Sequence, residues 1–214
     1  MKGRVSVEYI LEAAVGSYIE ARIAEELGAD RIEYCDNMLE GGTTPSIGSI
    51  TIAKKNLRTP FNVIIRPRGG DFVYSEDEIE IMKMDIQECR QLGVNGIVVG
   101  VLNKENKIDV EIMRDLIKLA KPMSITFHMA FDEIQNKKEA IDILVDLGVN
   151  RILTKGGADK AEKNINELAD LVKYANKRII ILPGGGITSE NFRRIAEATG
   201  ARELHGTKIV GNLK

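Results

Sequence analysis

The chain has 214 residues, 43% hydrophobic and 29% charged, with Lys+Arg 30 against Asp+Glu 32. That balance excludes the basic excess of a nucleic-acid binder, and no apolar run reaches the length of a membrane span or a signal-peptide core. We therefore expect one cytoplasmic domain over 1–214, with no nucleic-acid or membrane partner and with its two cysteines as reduced thiols.

YILEAAV (9–15) reads as an opening strand and carries Glu12. In EELGADRIEYC (25–35) an amphipathic segment halts at Gly28, and a strand with Glu33 and Cys35 begins. The third strand, VIIRP (63–67), runs into RPRGGDFVYS, which groups Arg66, Arg68 and Asp71 with Phe72 and Tyr74 to pack the loop down. Arginine forks suit carboxylate and phosphate oxygens. The plainer alternative is a loop tied by an Arg68–Asp71 pair. SEDEIEIMKMDIQECRQLG is the clearest helix: Ser75 caps it with Glu78 three residues on, and Ile79, Met82, Ile86 and Cys89 share one face, which makes Cys89 a core residue.

CRQLGVNGIVVG (89–100) repeats the helix-to-strand phrase at Gly93 and leads into VVGVLN. SITFH (124–128) ends on His128, with Asp132 four residues on, a pairing that suits a general base, a metal ligand or a histidine merely satisfied by its neighbour. LVDLGVNRILTK (144–155) turns at Gly148 and ends on Lys155, either a Schiff-base lysine or an ordinary surface one. IIILP (179–183) precedes Gly184, Gly185 and Gly186, with a helix expected from near Ser189. AEATGARELHGT (196–207) gives the phrase a fourth time, at Gly200, and supplies His205 with Lys208 beyond.

Asp or Asn stands two residues after the glycine in three of the four copies, which suits a tight turn from helix to strand. Counting the phrases and the apolar runs between them predicts eight strands alternating with seven helices, hence an α/β fold of the parallel TIM (β/α)8 barrel type. GTKIVGNLK is too short for a full eighth helix, so one flank is thinly covered and a partner subunit could cover it. A doubly wound open sheet is the structural alternative, but no G-x-G-x-x-G follows the first strand.

In such a barrel functional groups collect at the carboxyl ends of the strands. Period-two alternation points Glu12, Glu33, Cys35, Arg66, His128 and His205 the same way, and Glu33 with Arg66 on adjacent strands reads as an ion pair. Either these groups hold a ligand, or Glu12, Glu33, Glu203 and Arg66 form a core network that fixes register. Read as a ligand site, the mouth suits an enzyme acting on a small phosphorylated or carboxylated metabolite. His128 and Glu33 would be its acid–base pair, Arg66 and Arg68 its anion clamp, and the Gly184–Gly186 loop with Lys208 a phosphate seat.

LEAAVGS, GADRIEYCDNMLEGGTTPS, IRPRGGDFVYS, TFHMAFDE, VNRILT, LPGGGIT and ELH, in this order and spacing, resemble the CutC family of copper-homeostasis proteins over nearly the whole chain. The resemblance implies a cytoplasmic, often oligomeric TIM barrel, here a homo-oligomer such as a dimer or tetramer, associated with copper tolerance or Cu(I) binding. It also implies a first-strand cysteine facing Cys35, but Ala14 stands at that position, and Met129 stands where arginine is usual. Thiolate, thioether and imidazole all bind Cu(I), so the implied copper site reduces to Cys35, possible partners being Met129, Met38 or His128.

Overall fold

The structure, a computed structural model, describes residues 9–214. Eight strands run β1 (Ile10–Val15), β2 (Arg31–Tyr34), β3 (Phe61–Ile64), β4 (Gly96–Val99), β5 (Ser124–Phe127), β6 (Arg151–Thr154), β7 (Ile180–Pro183) and β8 (Glu203–Gly206). Helices α1 (Tyr18–Glu26), α2 (Ile47–Asn56), α3 (Glu76–Leu92), α4 (Val110–Ala120), α5 (Lys137–Asp146), α6 (Ile165–Ala175) and α7 (Phe192–Thr199) alternate with them. Every ladder is parallel, in the order β7-β6-β5-β4-β3-β2-β1-β8, so the sheet curls into a nearly closed TIM barrel and no helix follows β8 among the described residues.

The expected closure is interrupted between β7 and β8, where among the described residues the only pairing is a single bridge, Thr188 to Lys208, beyond the strand ends. The reason is local. Pro183 has no N–H to donate, and the Ile187 carbonyl leans against Gly206, where a Cβ would come within 2.2 Å of that oxygen. The last helix starts at Phe192 rather than near Ser189, because Asn191 Oδ1 accepts the Thr188 N–H at 2.8 Å and holds the intervening residues in a turn.

The repeated phrase explains the strand spacing. Gly28, Gly93, Gly148 and Gly200 all adopt left-handed φ between +68° and +86° as each helix stops. The side chains two residues later clasp the strand before: Asp30 Oδ2 accepts Leu11 N–H at 2.8 Å, Asn95 Oδ1 accepts Phe61 N–H at 3.1 Å and Asn150 Oδ1 accepts Ile125 N–H at 2.8 Å. Three of the four phrases therefore join two neighbouring strands as well as turning the chain. Ser75 and Glu78 form the expected capping box of α3. The outward residues of the strands meet the helices in one large apolar core that includes Ile32, Tyr34, Ile97, Phe127 and Leu204, and Cys89 is buried within it.

Candidate functional site

The barrel interior is layered, because every second residue of each strand faces it. At the amino-terminal end lies an ionic plug. Arg31 donates from Nε to Glu12 and from Nη2 to Glu203 at 2.6 Å, while Arg151 reaches Glu203 at 2.8 Å and Ser124 Oγ at 2.6 Å. Two glutamates and two arginines balance one another, which is how buried charge is tolerated. Sequence reasoning put Glu12 and Glu203 in a core network but missed Arg31 and Arg151. The alternation that singled out Glu33 would have found Arg31, since it lies two residues before it.

One layer up, His205 stands between two carboxylates, with Nδ1 2.8 Å from Glu12 Oε1 and Nε2 3.5 Å from Glu33 Oε2. Burial works to raise the Glu12 pKa, but the His205 hydrogen bond and the Arg31 charge outweigh it and hold it at about 2. Glu33 has no arginine, and burial lifts it above the usual carboxylate range although His205 pulls the other way. For His205, burial opposes protonation but the Glu33 and Glu12 carboxylates win and raise its pKa. Glu12, His205 and Glu33 thus form a chain along which a proton can be held or moved. It ends beside the Cys35 thiol, which burial and Glu33 push well above its ordinary value of 9.0.

Above this chain opens a cavity of about 310 Å³, walled by Glu33, Cys35, His205, His128, Arg66 and Met129, with Ala14, Met38, Gly185, Gly186 and Thr207 also on its lining. Cys35 and both histidines therefore converge, as the alternation predicts, and Ala14 and Met129 line the same cavity. Among the described residues no group of three His, Cys, Asp or Glu side chains is arranged to hold a metal ion.

Several expected contacts are replaced by others. Arg66 does not pair with Glu33: it lies beyond the end of β3 and donates instead to the carbonyls of Glu40 at 2.6 Å, Gly42 at 2.9 Å and Gly70 at 2.8 Å, tying two loops together. Arg68 is outside the cavity, bonded to Glu78 at 2.5 Å and Asp71 at 3.1 Å and stacked on Tyr74, so Arg66 and Arg68 do not form one clamp. His128 does not meet Asp132, because residues 129–133 wind into a 3-10 turn that aims Asp132 at β6. There it accepts from Thr154 Oγ1 at 2.5 Å and from Lys155 N–H at 3.0 Å.

His128 Nδ1 accepts the Ala130 N–H, Nε2 has no partner among the described residues, and the Phe72 ring is tilted against it with centroids 4.9 Å apart. Burial and the nearby Arg66 charge lower the His128 pKa to about 3. The ring is neutral, and of the two histidines His205 is the better placed to carry a proton. Lys155 Nζ turns back to the Ala158 carbonyl, Gly184 gives its N–H to Thr154, and Lys208 lines an adjoining cavity of about 330 Å³ rather than this one.

A family model described as the CutC family matches residues 9–210. The chain is 43% identical over 197 residues to the copper homeostasis protein cutC homolog of Homo sapiens, covering 92% of this chain and 72% of that one. It is 47% identical to a family protein CutC of Parabacteroides distasonis, with 92% and 81% covered. The solved CutC structure from Streptococcus agalactiae superposes with a TM-score of 0.91 at 39% identity, over 94% of this chain and 99% of that one. Deoxyribose phosphate aldolase from Aeropyrum pernix, at 16% identity and a TM-score of 0.69 over 95% and 88% of the two chains, shares the barrel alone.

Proposed function

The chain belongs to the CutC family, and from that premise we propose that it serves copper homeostasis by taking Cu(I) as cargo at the mouth of the barrel. The observation that carries this reading is the donor set of the cavity: the Cys35 thiol, the thioethers of Met38 and Met129, and the imidazoles of His128 and His205 all line it. Thiolates and thioethers are soft ligands suited to Cu(I). Ala14 removes a second thiol from the same wall, so Cys35 binds without a partner thiolate. The thiol must also lose a proton that burial and Glu33 hold on it. That proton leaves to solvent when the thiolate takes the metal, so binding releases one proton and strengthens with pH.

The test is an anaerobic Cu(I) titration in competition with a bathocuproine-type chelator. The wild type is expected to bind one Cu(I) with an apparent affinity that rises about tenfold per pH unit, and Cys35→Ser to lose at least about tenfold, or ~1.4 kcal/mol. Equal affinity in wild type and Cys35→Ser removes the site. A cytoplasmic setting, where thiols stay reduced, suits the two free buried cysteines. We further propose a single domain, a reading supported by the one large apolar core that the strands and helices share, and its assembly as a homo-oligomer.

One observation favours a second reading, an enzyme acting on a small phosphorylated or carboxylated metabolite. The Glu12–His205–Glu33 chain opens into the cavity, and a proton donor held by a fixed carboxylate is the arrangement general acid–base chemistry requires. Solvent deuterium entering a carbon-bound position of a sugar phosphate or 2-oxo acid with wild type, and not with Glu33→Gln, is the expected sign. Equal incorporation by Glu33→Gln would discard it.

A further inference from the structure

The geometry points to an oxyanion-binding subsite at the β7 and β8 loops, in which the main-chain N–H groups of Gly185, Gly186 and Thr207 hold the phosphate or carboxylate group of a small metabolite lying in the cavity. All three residues line that cavity. Gly184 gives its N–H to the Thr154 carbonyl at 2.9 Å, but those of Gly185, Gly186 and Thr207 have no acceptor among the described residues. Gly185 and Gly186 are left-handed, at φ +84° and +83°, and a Cβ on them would come within 2.6 Å of Lys155 and 3.0 Å of Lys160. Successive amides in such a turn form a concavity that favours anions. The two lysine stems packed against it add positive charge.

Arg66 supplies an independent reason for an anion. Its side chain lines the same cavity and the residue is only 5% exposed; it donates to carbonyl oxygens and lies over the Phe72 ring at 5.1 Å, and among the described residues its Nε has no hydrogen-bond partner. Among the described residues no carboxylate pairs with it. A buried guanidinium without a counter-ion is costly, whereas the ionic plug below is balanced within itself. His128, 4% exposed and on the same lining, also keeps Nε2 without a partner among the described residues. An anionic ligand would answer all of these: its oxygens meet the free amides, and its charge offsets Arg66 across a mostly apolar space where electrostatic attraction is weakly screened.

This subsite is separate from the copper reading, and the test uses copper-free protein so that either can fail alone. Full-length 15N-labelled chain, stripped with chelator, is titrated with inorganic phosphate and, in a second arm, with acetate, and the amide signals are followed by NMR. Saturable shifts at Gly185, Gly186 and Thr207 are expected, and the anion that binds more tightly identifies the group as phosphate or carboxylate. Gly185→Ala is expected to weaken binding at least about tenfold. Three amides unmoved by either anion, or shifts that never saturate and centre on exposed lysines, overturn the proposal. So does unchanged affinity in a Gly185→Ala chain that keeps its circular dichroism. If that variant does not fold, the wild-type map alone decides.

Discussion

Replacing Arg31 by methionine removes the cation that sits between Glu12 and Glu203 while keeping most of the buried stem. Glu12 is fully buried, and its pKa lies at about 2 against an ordinary 4.5 because His205 and Arg31 together overcome burial. At about 1.4 kcal/mol per tenfold change, that depression corresponds to about 3 kcal/mol of stability, present above pH 4.5 and lost as pH falls towards 2. Without Arg31 the balance tips towards burial. Glu203 retains Arg151, so we expect a loss near the low end of the range for breaking a buried pair, about 3 kcal/mol at pH 7.

Urea unfolding followed by circular dichroism reads this directly. With a slope of roughly 2–3 kcal/mol/M the midpoint falls by about 1–1.5 M. The deficit should also narrow as pH falls from neutral, since protonating the orphaned Glu12 in the variant relieves the cost that its burial imposes. A midpoint within about 0.3 M of wild type, or a deficit that does not change with pH, would refute the argument that the plug is held by charge balance.

Three further outcomes are expected. His128 has a folded pKa of about 3 against 6.5, so the unfolded chain binds the extra proton and stability falls as pH drops below 6.5, by about 1.4 kcal/mol per unit; His128→Phe should flatten that limb, and an unchanged urea midpoint profile between pH 6.5 and 5 would count against it. Cys35 and Cys89 are both buried, the second with its thiol pushed up to about 12, so iodoacetamide at pH 8 should leave both intact until guanidinium unfolds the chain, with mass spectrometry as the readout. Gly206→Ala puts a Cβ against the Ile187 carbonyl and should cost about 1–3 kcal/mol, seen as a drop of several degrees in melting temperature, whereas an unshifted melt would mean the β7–β8 seam can open freely.

The periodic features of this barrel were readable from the chain alone. Each helix-to-strand phrase carries its own glycine stop and, in three copies, its own Asp or Asn clasp, so element order and the inward set at Glu12, Glu33, Cys35, His128 and His205 follow from local chemistry and a period of two. What period two leaves open is the height of each group along the barrel axis and its neighbour across it, because both depend on strand stagger between residues far apart in the chain. Stagger placed Arg66 above Glu33 instead of beside it and left that guanidinium to loop carbonyls. The same stagger gave Glu33 to His205, which lies 172 positions further along the chain than Glu33, and set Arg31 between Glu12 and Glu203. The His128–Asp132 pair failed for a different reason: a single 3-10 turn rotated the carboxylate onto β6. Local sequence determined which side chains face inward, while the pairing of strands far apart in the chain decided which of them meet, as when the last strand, β8, pairs with the first, β1.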